Sequence, residues 1–124
     1  MGKKKILIAD DETDILKVLE KRLETAGYAV VAAENGNDAI RLAKSERPDL
    51  ILLDINMPGM DGAEAKKILK DEPSTKKIPV IFLTALITKK EEISSGHKIG
   101  DNFFIAKPYD YEELLRQIKR HLPD

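Results

Sequence analysis

Four short apolar runs in this chain each stop at a residue that carries chemistry. Ile6-Leu7-Ile8-Ala9 stops at Asp10-Asp11, and Leu50-Ile51-Leu52-Leu53 stops at Asp54. Val80-Ile81-Phe82-Leu83 stops at Thr84, and Phe103-Phe104-Ile105-Ala106 stops at Lys107. Runs this apolar, separated by helix-like stretches, read as parallel strands buried on both faces. In an open α/β sheet, ligands sit outside the carboxyl ends of the strands. Three carboxylates, a hydroxyl and an ammonium are therefore expected on one patch.

The intervening segments support that architecture. Ile15, Val18, Leu19, Leu23 and Ala26 mark one face of a first helix, ended by Gly27. Tyr28 to Ala33 reads as the second strand, followed by the turn and helix start Asn35-Gly36-Asn37 and the apolar positions Ala39, Ile40 and Ala43. Asp61 with Glu64, Thr88 with Glu91, and Asp110 with Glu113 have the spacing of capping boxes. The last helix is expected to bury Leu114, Leu115, Ile118 and Leu122. It carries Arg116, Lys119, Arg120 and His121 toward its carbonyl end, where cations are favoured. A fourth helix, interrupted by Ser94, Ser95 and Gly96, has a thin apolar stripe. Strand and helix alternate five times, which predicts a parallel sheet with helices on both faces. At 124 residues the chain reads as one domain, 1–124, with a core spanning about 4–122.

Composition narrows the function. With no cysteine there is no disulfide scaffold, cysteine metal site or thiol nucleophile, which fits a reducing cytoplasm. No apolar stretch approaches membrane-spanning length. A net charge of −1 makes no case for direct nucleic-acid contact, and the basic run Lys3 to Lys5 reads as solvated charge beside an edge strand.

Asp10, Asp11 and Asp54, brought together, each raise the others' pKa and need a counter-charge. Lys107 supplies one positive charge, and a divalent cation would supply the rest. Oxygen ligands without His or Cys indicate a hard ion, magnesium or calcium. No spaced acidic loop of the calcium-binding type is present, which favours Mg2+. Magnesium commonly accompanies phosphate, and Thr84 with Lys107 is a donor pair suited to phosphate oxygens. Taken singly, the residues read as an acidic helix cap, an Asx turn and a snorkelling lysine. Their joint occurrence at strand ends reads as a site. The loop after the first strand, Asp10-Asp11-Glu12, repels bare phosphate and accepts it only through a cation. Asp54, the central carboxylate, on the middle strand of the sequence and flanked by the other groups, is the candidate nucleophile, forming an acyl phosphate.

With its Asp10-Asp11 pair, Leu53-Asp54, Met57-Pro58-Gly59-Met60-Asp61-Gly62, Thr84-Ala85 and Lys107-Pro108, the chain resembles the receiver domain of two-component response regulators, a family that includes the chemotaxis response regulator. The match runs from Lys4 to Leu122. The resemblance implies a flavodoxin-like, doubly wound (βα)5 fold with strand order 2-1-3-4-5. It implies that Asp54 accepts a phosphoryl group from a partner histidine kinase or phosphotransfer protein. Asp11, Asp54 and the backbone carbonyl of Asn56 would ligate Mg2+, with Asp10 acting through water. Lys107 would pair with the phosphoryl group and form a cis peptide with Pro108. Thr84 would swing toward the phosphoryl group as Phe104 turns inward. Output would pass through the fourth helix, fifth strand and fifth helix to an output domain or partner protein. Such a domain is a phospho-acceptor rather than an enzyme, although it takes part in phosphotransfer and autodephosphorylation.

Some positions depart from the family pattern. Phe103 precedes the switch aromatic, and alternation sends the two rings to opposite faces. Phe103 is expected either in solvent, as part of a partner surface, or under the fourth helix. Gly100-Asp101 replaces the usual Gly-Ala, and the fourth helix is unusually rich in serine. His97 and His121 read as solvated surface residues. Two other function classes compete. A phosphorylation-independent interaction module is disfavoured by the intact acidic, threonine and lysine set. A dehalogenase-type aspartyl-phosphate phosphatase places its nucleophile after the first strand with an Asp two residues on, whereas Asp54 follows the third strand and precedes Asn56. No effector domain lies in these residues, so the chain reads either as a single-domain regulator or as the receiver of a longer one.

Overall fold

The fold was analysed in a computed structural model, which describes residues 2–84, 98–99, 102–107 and 109–122. The readings of the fourth helix, Ala85, His97, Gly100-Asp101 and the Lys107–Pro108 peptide lie outside the described residues.

The elements follow the alternation of the sequence. They are β1 (Lys5–Ala9), α1 (Thr13–Thr25), β2 (Ala29–Ala33), α2 (Gly36–Glu46), β3 (Leu50–Asp54), α3 (Gly62–Asp71), β4 (Val80–Thr84), β5 (Lys98–Ile99), β6 (Asn102–Ala106) and α4 (Tyr111–His121). The last of these is the fifth helix of the sequence reading. The sheet order is β2-β1-β3-β4-β6-β5. Its first five strands are parallel and have the expected order, and β5 is an addition of two residues, antiparallel to β6 at the edge.

Alternation along the strands divides the core. Leu7, Ile51, Leu53 and Phe82 pack with Ala39, Ile40, Ala43, Ala65 and Leu69 of α2 and α3. Ile6, Ile8, Leu50, Leu52, Ile81, Leu83 and Ile105 pack with Leu16, Leu19 and Leu23 of α1 and with Leu114 and Ile118 of α4. Covering both faces requires continuous apolar strands, which accounts for the unbroken runs.

The helix ends follow local chemistry, with two differences from expectation. Asn35 and Asp61 cap α2 and α3 by accepting from the amides of Asp38 and Glu64, each at 2.8 Å. Asp110 accepts from Glu112 instead of Glu113, and the Glu113 carboxylate turns to Arg116 and Gln117. Gly27 ends α1 at φ +104°, as a positive φ favours. On α1 the buried stripe is Leu16, Leu19 and Leu23, which keeps Leu19 and Leu23 of the expected face and adds Leu16 in place of Ile15, Val18 and Ala26. Ile15 and Val18 are 39% and 58% exposed, and Ala26 is exposed as well. Apolar residues span more of the helix circumference than the sheet can cover.

Candidate functional site

The strand register gathers the predicted residues at one edge. Ala9 pairs with Leu53, Asp54 with Leu83, and Thr84 with Ala106. Asp10, Asp54, Thr84 and Lys107 therefore finish neighbouring strands at nearly the same level. The Lys107 amide donates to the Thr84 carbonyl at 2.8 Å, extending the ladder one step past β6. Asp10, Asp54 and Thr84 are buried, Lys107 is half-buried and Asp11 is exposed.

Each buried carboxylate is held at both oxygens. Asp10 Oδ1 accepts from the Glu12 amide and Asp54 Oδ1 from the Asn56 amide, at 3.0 and 3.1 Å. Lys107 Nζ donates to the remaining oxygens, Asp10 Oδ2 and Asp54 Oδ2, each at 3.0 Å. Burial pushes the Asp54 carboxyl above its ordinary pKa. The Lys107 hydrogen bond and charge and the Asn56 amide oppose that rise, and Asp10 adds to it. Burial would lower the Lys107 ammonium, but its hydrogen bonds to Asp10 and Asp54 and their charges hold its pKa above the usual lysine value.

Asp10, Asp11 and Asp54 each present a carboxylate oxygen within 4.8 Å of the other two. Among the described residues the Asp11 carboxylate and the Asn56 carbonyl make no hydrogen bond or ion pair. Both residues are exposed, so these oxygens are open to solvent or to a ligand. A donor set of carboxylates and a carbonyl, carrying more negative than positive charge, fits a hard divalent cation such as magnesium.

The acceptor loop is packed tightly from behind. The Gly62 amide donates to the Ile55 carbonyl at 2.8 Å, and a Cβ on Gly62 would lie 2.5 Å from the Asp54 carbonyl oxygen. The Asp-Gly at the foot of α3 lets that helix begin directly against the acceptor strand. In the sequence Gly62 stands out only as part of the motif after Asp54, and its role depends on a cross-element approach that no local pattern reveals.

The two adjacent phenylalanines do face opposite sides. Phe104 is half-buried on the α3 side and stacks on Phe82, with ring centroids 5.3 Å apart. Phe103 packs with the core under α4, and its ring meets His121 edge-on at 4.3 Å. It is thus not a solvent-facing residue, and whether the fourth helix also covers it lies outside the described residues. His121 is correspondingly half-buried, with Nδ1 2.8 Å from the Gln117 carbonyl oxygen, rather than simply solvated. Tyr109 was missed. Two residues past Lys107, it is half-buried, and burial raises its hydroxyl pKa near Lys107, Asp10 and Arg22. It also lines a groove of about 600 Å3 with Ile15, Val18, Arg22 and Tyr111.

The family model for the response regulator receiver domain matches residues 6–119. Protein PilH of Pseudomonas aeruginosa is 40% identical over 116 residues, which cover 92% of this chain and 93% of PilH. Against longer curated relatives from Porphyridium aerugineum, Guillardia theta and Cyanophora paradoxa, the chain spans about half of each relative's length. Among solved structures, chemotaxis protein CheY4 of Vibrio cholerae superimposes with a TM-score of 0.83 at 30% identity, covering 98% of this chain and 100% of that one. The receiver domain of sensor histidine kinase PA1611 from P. aeruginosa, with a magnesium ion coordinated in its active site cleft, gives a TM-score of 0.81 at 30% identity, covering 98% of each chain. Among the described residues no helix is long and apolar enough to cross a membrane.

Proposed function

Because the chain belongs to the response regulator receiver domain family, we propose that Asp54 is the acceptor of a phosphoryl group carried by a histidine of a kinase or phosphotransfer protein. The observation that carries this reading is the Lys107 ammonium bridging two buried carboxylates beside an exposed third, with all three carboxylates close enough to share one cation. An Asp54 carboxylate oxygen attacks phosphorus in line. The P–O bond forms as the P–N bond breaks, and the electron pair stays on the departing imidazole nitrogen, which takes up a proton. Lys107 keeps its position at the Asp54 carboxylate and balances charge on the arriving oxygens. Thr84 offers a hydroxyl from the neighbouring strand end. Asp11, Asp54 and the Asn56 carbonyl would hold Mg2+ directly and Asp10 would hold it through water. When bound, the ion would supply positive charge to offset the acidic cluster and the charge on the arriving phosphoryl group.

The domain acts as a cytoplasmic signalling switch. Thr84 and Phe104 report the phosphoryl group to the segment between Thr84 and α4, and from there to an output domain or partner. The partner that delivers phosphate seats on the groove at Ile15, Val18 and Tyr109. The residues lining that groove follow closely in sequence on the Asp10-Asp11-Glu12 loop and on Lys107, and among them Ile15 and Val18 expose apolar surface.

Intact-mass measurement with acetyl phosphate and magnesium tests the acceptor. Wild type gains one alkali-labile phosphoryl group, and Asp54→Asn gains none. Stable labelling of a serine or histidine in wild type would overturn the assignment.

A further inference from the structure

Phe104 has a partner that its switching role does not explain. Its registered neighbour on β4 is Phe82, and the two rings stack at 5.3 Å with planes 28° apart. Phe82 is buried, so its ring is a fixed platform. Lys66, one turn into α3, brings its ammonium to 5.4 Å from the centroid of that ring. Helix α3 starts on the acceptor strand through the Gly62–Ile55 hydrogen bond. The stack therefore links Phe104 to the element that begins behind Asp54.

The register gives the stack a direction. Thr84 is two residues beyond Phe82 on the same face of β4 and pairs with Ala106, not with Phe104. A Phe104 ring that moves to fill space beside Thr84 must travel along the sheet toward the carboxyl ends, off its seat on Phe82. The two rings are not packed in on every side, since a cavity of about 310 Å3 lies beside them, lined also by Ile55, Ala63, Lys66 and Lys70.

We propose that Phe82 and Lys66 are positioning residues for the switch, holding Phe104 in the unphosphorylated arrangement so that phosphorylation must work against the stack. This rests on the reading of Phe104 as the switch aromatic. Because both arrangements belong to one equilibrium, anything that weakens the stack strengthens binding of a phosphoryl mimic, by up to the same factor.

The chain has three phenylalanines, so 4-fluorophenylalanine labelling gives a 19F spectrum that single substitutions assign. In wild type, the Phe104 resonance should move on titration with magnesium and beryllofluoride. In Phe82→Leu the ligand-free resonance should already lie part of the way along that shift. Beryllofluoride should then bind roughly two- to ten-fold more tightly, the range that loss of an aromatic pair allows. Lys66→Met should do the same to a smaller extent, and Lys66→Arg, which keeps a cation over the ring, should match wild type. The proposal is overturned if wild type responds while Phe82→Leu and Lys66→Met leave the resonance and the binding midpoint unchanged, or weaken binding. Should Phe82→Leu not fold, Lys66→Met against Lys66→Arg decides alone. If beryllofluoride binds wild type, as its own fluorine signal reports, and Phe104 does not move, the switch reading itself fails and this proposal fails with it.

Discussion

The Lys107 ammonium lies 3.0 Å from Asp54 Oδ2, yet that contact does not fully offset the burial of the carboxylate. Lys107 gains from the pair, since its proton is held more tightly than usual. Asp54 does not gain, because burial outweighs its hydrogen bonds and its pKa rises. The same lysine is shared with Asp10, so neither carboxylate has a full counter-charge to itself.

A raised folded-state pKa means that the stability associated with protonated Asp54 is fully present below the ordinary value of 3.8 and is lost as pH rises through the higher folded value. The metal-free protein therefore carries an ionised Asp54 at a cost at neutral pH. Asp54→Asn should melt above wild type at pH 7 without magnesium, and the gap should close as pH falls toward the ordinary carboxylate value. Urea melts across that range check this, and a gap that widens on acidification would show Asp54 to be a net stabilising ion pair.

Asp11 makes a different prediction because it is exposed. Removing its charge in Asp11→Asn relieves repulsion that solvent already screens, so the metal-free fold should gain no more than about 1 kcal/mol. Its larger effect should be on the ion. Magnesium should raise the melting temperature of wild type and raise that of Asp11→Asn far less, since a ligand stabilises in proportion to its affinity. A full magnesium response in Asp11→Asn would move the metal site away from the acidic pair.

What was legible in the sequence followed from covalent neighbourhood and period. Runs such as Leu50 to Leu53 can only be strands buried on both faces, and the residues that end them had to share one sheet edge. Strand alternation likewise sent Phe103 and Phe104 to opposite sides. What the sequence hid depended on partners distant along the chain. Nothing near Phe103 shows that α4 returns to cover it with His121, or that Phe104 would register with Phe82. On α1, apolar character alone could not separate Leu16, which meets the sheet, from Ile15 and Val18, which do not. The edge strand β5 escaped notice because two residues carry no period.

Gly62 shows how closely the acceptor is supported. A Cβ there would meet the Asp54 carbonyl oxygen at 2.5 Å and Ile55 Cα at 2.8 Å, both backbone atoms of the strand end. Backbone cannot rotate away as a side chain can, so Gly62→Ala should destabilise the fold by about 1–3 kcal/mol, the usual cost of overpacking. The displaced strand end should also weaken magnesium binding. By contrast, Gly2→Ala has open space around it and should be neutral in both assays. If Gly62→Ala binds magnesium as wild type does, the contact supports the fold without positioning Asp54.

Ile15 and Val18 separate delivery of the phosphoryl group from its acceptance. Both are exposed on α1, away from the Leu16, Leu19 and Leu23 stripe, and they share a groove with Tyr109 just past Lys107. Serine at either position removes apolar surface without opening the core, so stability should change by no more than about 0.5 kcal/mol. A small donor such as acetyl phosphate needs no protein surface and should label Ile15→Ser and Val18→Ser at the wild-type rate. A phosphorylated kinase or phosphotransfer protein must seat its histidine against Asp54, and loss of a central apolar contact should slow its transfer about ten-fold or more. Comparing the two donors on the same variants gives the answer directly. Equal slowing with both would mean that α1 disturbs the acceptor itself, and no slowing with either would place the partner on another face.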